Sequence, residues 1–239
     1  MSANKTLAEM RAATLRYADL EGYAADEAIV DDLLNARLAR LYDLLIMGRP
    51  EHYYETSVAI SAVKDQSTYA WAADWGIQDF YRLVALIADD GTDYYELPNF
   101  DWSERARLLR INANSGTSSV TQLSKRLRPV GIEILPAPHS ATVTLTLHYV
   151  PAYEPLTEDA QTFDGVNGWE QHAELMAAAD LRIKNEMDPS GVMATAAQVE
   201  AAIAQLAGTR DHSRPIRIKR TDQRRQRRRM WRRGYGEEY

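Results

Sequence analysis

The densest chemistry in the sequence lies near its C-terminus, in RIKRTDQRRQRRRMWRR from Arg217 to Arg233. Arg217, Lys219, Arg220, Arg224, Arg225, Arg227, Arg228, Arg229, Arg232 and Arg233 are offset there only by Asp222. Guanidinium groups at this density bind phosphates or carboxylates through charge and forked hydrogen bonds. Charge alone does not separate a nucleic-acid partner from an acidic protein surface. Met230 and Trp231 favour the protein, because they are apolar anchors that purely electrostatic binding does not need. Repulsion among closely spaced cations predicts that the run lacks compact structure in the free subunit and orders against complementary carboxylates.

Elsewhere the residue types that do chemistry lack the spacing for it. His139, His148 and His172 have no i, i+4 partner and no third ligand at metal-site spacing, and cysteine is absent. Asp26, Glu27, Asp31 and Asp32 gather at a predicted helix start, where solvated carboxylates meet the positive end of the dipole. No Gly-rich phosphate loop, nucleophile elbow or Ser/His/Asp order stands out. The expectation is a protein that is not an enzyme and uses no cofactor or metal. Aromatic residues crowd the stretch from Tyr53 to Trp102, and with interleaved cations they would resemble a base-stacking platform. Arg82 is the only basic residue between Lys64 and Arg105, while Asp65, Asp74, Asp79, Asp89, Asp90, Asp93, Glu96 and Asp101 are acidic. Packing in a core or between subunits is therefore expected.

The 239 residues carry a net charge of −6, an average that hides a division. Arg214 to Arg233 contributes +10 and the last six residues −2, which leaves −14 on residues 1–213. An acidic body thus carries a basic tail, and the two require different partners. A hydrophobic content of 45% is enough to bury a core. No apolar run approaches the roughly 20 residues of a membrane span, and the opening MSANKTLAEM has no hydrophobic signal core. No membrane partner and no Sec export are expected.

The elements that must position these residues follow from periodicity. Thr6 and Glu9 form a capping-box pair ahead of Leu7, Met10, Thr14, Tyr17 and Leu20, which predicts a first helix over about 6–20. Asp26 can cap a second helix with Ile29, Leu33, Leu34, Leu38, Leu41 and Leu45 inward, stopped by Gly48 and Pro50. From Tyr53 to about Pro151 the period becomes two. Val143, Leu145, Leu147 and Tyr149 alternate with polar residues as a half-buried strand requires, and 56–63, 80–87, 94–97 and 130–135 read as further strands. Helical spacing returns after Gly168. A third helix places Trp169, Ala173, Met176, Ile183 and Met187 on one stripe that Asp180 interrupts, so a buried Asp180 would need an arginine, expected from another subunit. A fourth helix carries Val192, Ala196, Val199, Ile203 and Leu206. The predicted class is α+β: an α-helical bundle with a small antiparallel β domain, sheet or barrel, inserted between helices two and three, plus an extended basic C-terminal tail. The corresponding divisions are 1–50 and 157–210 for the two halves of the bundle, 51–156 for the β domain and 211–239 for the Arg-rich tail.

Five stretches, in order, resemble the head-to-tail adaptor (connector) proteins of tailed bacteriophages and gene transfer agents. They are GYAADEAIVDDLLNARLARLYDLLI at 22–46, HYYETSVAISAV at 52–63, FYRLVALIADDGTDYYELPNFDWSERARL at 80–108, ILPAPHSATVTLTLHYVPAYEPL at 134–156 and TFDGVNGWEQHAELMAAADLRIKNE at 162–186. The last is the most specific, a loop leading directly into a helix. The resemblance implies a virion protein at the head-tail interface, assembled in the host cytoplasm. It implies a ring, usually dodecameric, bound beneath the portal protein, with the bundle as ring body and the β domain projecting. It also implies a downstream neck, stopper or tail protein, and dsDNA passing through the lumen without sequence-specific binding. An acidic body suits such a conduit, because negative walls repel phosphates. Portal docking by Arg217–Arg233, with Met230 and Trp231 as anchors, is inferred from position, since the long Arg-rich terminus departs from the family pattern. The competing reading is a nucleic-acid-binding regulator that uses the same basic tail.

Overall fold

The computed structural model describes residues 4–22, 27–48, 53–114, 120–139, 142–165 and 168–207. The basic run Arg217–Arg233, with every docking residue assigned to it, lies outside the described residues, as do Asp26 and Pro50. The described chain is α+β, with five helices and two antiparallel sheets. In order they are α1 (Leu7–Tyr17), α2 (Glu27–Gly48), β1 (Thr56–Ser61), β2 (Thr68–Ala70), β3 (Phe80–Asp89), β4 (Tyr94–Glu96), α3 (Arg105–Asn114), β5 (Ser124–Arg128), β6 (Gly131–Leu135), β7 (Thr144–Pro151), α4 (Glu170–Lys184) and α5 (Ser190–Ala207).

Local signals set the start of α1. Glu9 N–H donates to Thr6 Oγ1 at 3.2 Å and Thr6 N–H to Glu9 Oε2 at 2.9 Å, closing the capping box. Leu7, Met10 and Thr14 are buried, while Tyr17 and Leu20 cover the rim of the same cluster. The α2 stripe is rotated from the expected one. Val30, Leu34, Leu38, Leu41, Tyr42, Leu45 and Ile46 are buried, and Ile29 and Leu33 are only half-buried.

The third predicted helix, now α4, differs most from expectation. Ile183 is 56% exposed and Met187 falls beyond the helix end, whereas Ala173, Leu175, Ala177, Ala178, Ala179 and Leu181 are buried. The reason is that α1, α2 and α5 all pack on α4. Alanines let three neighbours approach closely, so burial spreads around the helix and no single stripe of large residues is needed. Asp180 has its arginine, but within the chain. Arg37 on α2 donates from Nε and Nη2 to the two carboxylate oxygens at 2.7 and 2.6 Å. Both side chains keep partial solvent access, so Asp180→Asn is expected to cost no more than about 1 kcal/mol in urea unfolding and to leave assembly unchanged.

The β region forms two sheets where one sheet or barrel was expected. Their orders are β1-β7-β3-β4 and β2-β6-β5. Leu145, Leu147 and Tyr149 of β7 and Leu86 and Ala88 of β3 share an apolar cluster with Tyr69 of β2 and Ile132 and Ile134 of β6. The other face of β6 is covered by α3, through Leu108 against Phe100 and Leu135. β6 is therefore buried along its whole length. Glu133 on that strand is buried and held by Arg105 at 2.9 Å and Arg128 at 3.8 Å. Neither α3 nor β5 (SKRLR) shows a strong apolar period, and both escaped the sequence reading for that reason.

Candidate functional site

Where the helices meet the first sheet, the end of β7 and the following 152–164 loop enclose a cleft of about 510 Å³. Its walls are aromatic. Tyr42 lies 4.4 Å from Tyr54 and 5.9 Å from Tyr153 between ring centroids, and Phe163 lies 6.2 and 6.1 Å from Tyr54 and Tyr153. Each phenol is committed to a structural bond: Tyr42 donates to Pro151 O at 2.7 Å, Tyr153 to Asn35 Oδ1 at 2.8 Å, and Tyr54 to Asp164 O. Burial raises all three phenol pKa values, that of Tyr153 to about 12. They are hydrogen donors at physiological pH, suited to clamping and unsuited to proton transfer. Asn35 braces Leu156 of the wall, accepting from its N–H at 2.8 Å and donating to its O at 2.9 Å. Asn35→Ala strands these groups and is expected to cost about 2–3 kcal/mol in chemical denaturation, with proteolytic cleavage appearing first in 152–156.

Beyond the cleft the chain enters α4 through Gly165 and Gly168. A Cβ on Gly165 would sit 2.7 Å from the Glu170 backbone nitrogen, and Gly168 adopts φ +82°, the left-handed region that favours glycine. This is the physical content of the DGVNGWE stretch: two glycines let the loop fold against the buried first turn of α4.

α5 packs on α4 and α2 with Ala196 and Ile203, while Val192 and Val199 are half-buried. Its outward side holds small or apolar residues, including Met193 at 45% exposure and exposed Ala197 and Ala201. Leu206, expected on the seam, is exposed. Among the eighteen residues of α5 only Glu200 is charged. A solvent-facing helix with one charge presents a surface that another protein can cover at little desolvation cost.

The model of the SU10 adaptor protein family matches residues 5–219. The chain belongs to this family. It is a phage structural adaptor and thus a component of the virion. No curated protein matches the chain significantly. The family match covers every described element of the adaptor and reaches Arg217 and Lys219 of the basic run, leaving 220–233 beyond it.

The other residues singled out by sequence fall at separate places in the adaptor. His139 bonds Asp65 at 3.2 Å and His148 bonds Glu55 at 2.7 Å. His172 is buried on α4 at 3.9 Å from Glu200, with burial holding its pKa below the ordinary value. Among the described residues, no group of three or more His, Cys, Asp or Glu could hold a metal, and no helix is long and apolar enough to cross a membrane. Of the acids at the start of α2, Glu27 and Asp31 are more than solvated. Arg11 of α1 bonds Asp31 at 2.8 and 2.7 Å, Asp159 at 3.0 Å and Glu27 at 3.4 Å, tying two helices to the cleft loop. Trp102 was missed as a site. It is 59% exposed, and the guanidinium carbons of Arg126 and Arg105 stand 4.5 and 5.1 Å from its ring centre. The runs RAR and SKRLR were visible in sequence, but only the fold brings both to one indole.

Proposed function

We propose that this adaptor assembles as a ring, dodecameric on the family pattern, beneath the portal protein. In this reading it extends the DNA channel and joins the head to a downstream neck, stopper or tail protein. The role is structural rather than catalytic. The helical halves, 1–50 and 157–210, make the ring body as a bundle, 51–156 is the inserted β domain that projects from it, and 211–239 reaches the portal. The observation that carries the ring is the outward side of α5, an exposed, nearly uncharged helix on the rim of the helical packing. A second copy is the occupant that a virion adaptor offers in highest local number. The acidic character of residues 1–213 supports passage of duplex DNA without adhesion.

The test is native mass measurement with and without portal. The parent chain is expected to form a closed ring on the portal, and Ala197→Arg to keep its helical circular dichroism while failing to close the ring. A parent chain that stays monomeric on every portal preparation would sink the reading. The regulator reading has one observation on its side, the Trp102 platform between two arginines. It requires strong, salt-sensitive nucleic-acid affinity in a chain that ignores the portal.

A further inference from the structure

The aromatic cleft also carries four carboxylates, Glu55, Asp79, Glu154 and Asp164; His148, outside the lining, bonds Glu55 at 2.7 Å, and none of the described residues lining the cleft is Lys, Arg or His. A cationic segment bearing an aromatic side chain is the chemistry that fits such a groove, with guanidinium forks on the carboxylates and a ring among rings. The chain holds one such segment, Arg217–Arg233, with ten cations, Met230 and Trp231. The path of the backbone leads toward the cleft. His172 on α4 stands beside Glu200, so α5 runs back along α4 and ends, at Ala207, near the start of α4. That start follows six residues after Asp164 in the cleft wall. Nine residues lie between Ala207 and Arg217, and the ten steps from one to the other can span up to about 33 Å when extended.

We propose that Arg217–Arg233 folds back into the cleft of its own chain, arginines on its carboxylates and Trp231 against its aromatic wall. The acidic body, −14 over residues 1–213, favours this return over release to solvent. While held there, the segment is withheld from nucleic-acid phosphates and from other acidic proteins, and a partner must compete for it. The proposal goes beyond the ring reading and needs no portal, so the two can fail separately.

The native chain contains no cysteine, so two spin labels can be placed in the full-length protein without background. Glu158→Cys sits in the exposed loop beside the cleft, and Gly234→Cys follows the basic run. Pulsed dipolar spectroscopy at low ionic strength is expected to show a narrow, short-distance population, lost at about 1 M salt where the Debye length falls to about 3 Å. Combined Glu55→Gln, Asp79→Asn and Glu154→Gln should abolish it. A second variant changes no cleft residue: Arg224, Arg225, Arg227 and Arg228 to Gln with Trp231→Ala should abolish it as well. A broad distribution in the parent, or a narrow one untouched by both variants, overturns the proposal. The same narrow distance between singly labelled chains after mixing also overturns it, in favour of exchange between copies.

Discussion

Truncation after Thr209 is expected to abolish portal capture while leaving the thermal midpoint and helical circular dichroism of the body near those of the full chain. The removed residues 210–239 hold the whole basic run, and every residue of the two large apolar clusters lies before them. Portal capture in this reading draws on two different interactions. Arginine–carboxylate pairs give attraction that weakens with salt, and Trp231 in an apolar pocket gives a contact that does not. Trp231→Ala keeps the charge and is expected to weaken portal binding by about 2 kcal/mol or more, roughly thirtyfold, the loss of a buried aromatic anchor. The measurement is a portal pull-down with full-length, truncated and Trp231→Ala chains across a salt series. Equal capture of all three would remove the tail from the docking mechanism. Loss confined to DNA binding would move support to the regulator reading.

Lys5→Met is expected to destabilise the folded subunit by about 3 kcal/mol at neutral pH, the largest single-residue effect among the ion pairs of the body. Glu174 on α4 is fully buried, and both its oxygens accept from Lys5 Nζ, at 2.7 and 3.0 Å. Lys5 itself is 35% exposed, so its removal strands a carboxylate without freeing a comparably buried cation. Burial raises the Glu174 pKa above its ordinary value, and the bond from Lys5 pulls it back down. Between the unfolded and the raised folded value, the unfolded chain has already lost a proton that the folded chain retains. Stability therefore falls as pH rises through that window, and the cost is constant above it. Without Lys5 the window extends further upward. The stability gap between parent and Lys5→Met is thus expected to be full at slightly alkaline pH and to shrink as pH falls toward 4.5, the unfolded reference. Urea unfolding of both proteins at several pH values checks this, and a gap independent of pH would show that Glu174 is not the group left uncompensated.

The sequence by itself determined the α+β class, the capping box of α1, the buried alternation of β7 and the approximate positions of α1, α2, α4 and α5 and of β1, β3, β4, β6 and β7. These were legible because each arises within one segment that has one dry face and one wet face, so period and cap are written in adjacent residues. The basic run was equally legible as composition, and the partners proposed for it rest on its chemistry. Only the tertiary structure decided the rest. α4 is enclosed by three helices, and enclosure erases the stripe that sequence reading looks for. α3 and β5 are held by burying Glu133 beneath arginines from both, an ion-pair core that reads as surface when the partners are far apart in sequence. Asp180 finds Arg37 143 residues away, which made a within-chain pair look like a contact awaiting another subunit. The cleft takes its walls from α2, the residues just before β1, Asp79 just before β3, and the stretch from the end of β7 through the loop before α4, and its acids are scattered from Glu55 to Asp164. A concave site assembled from four segments has no local period, so only long-range packing could bring its rings and carboxylates together.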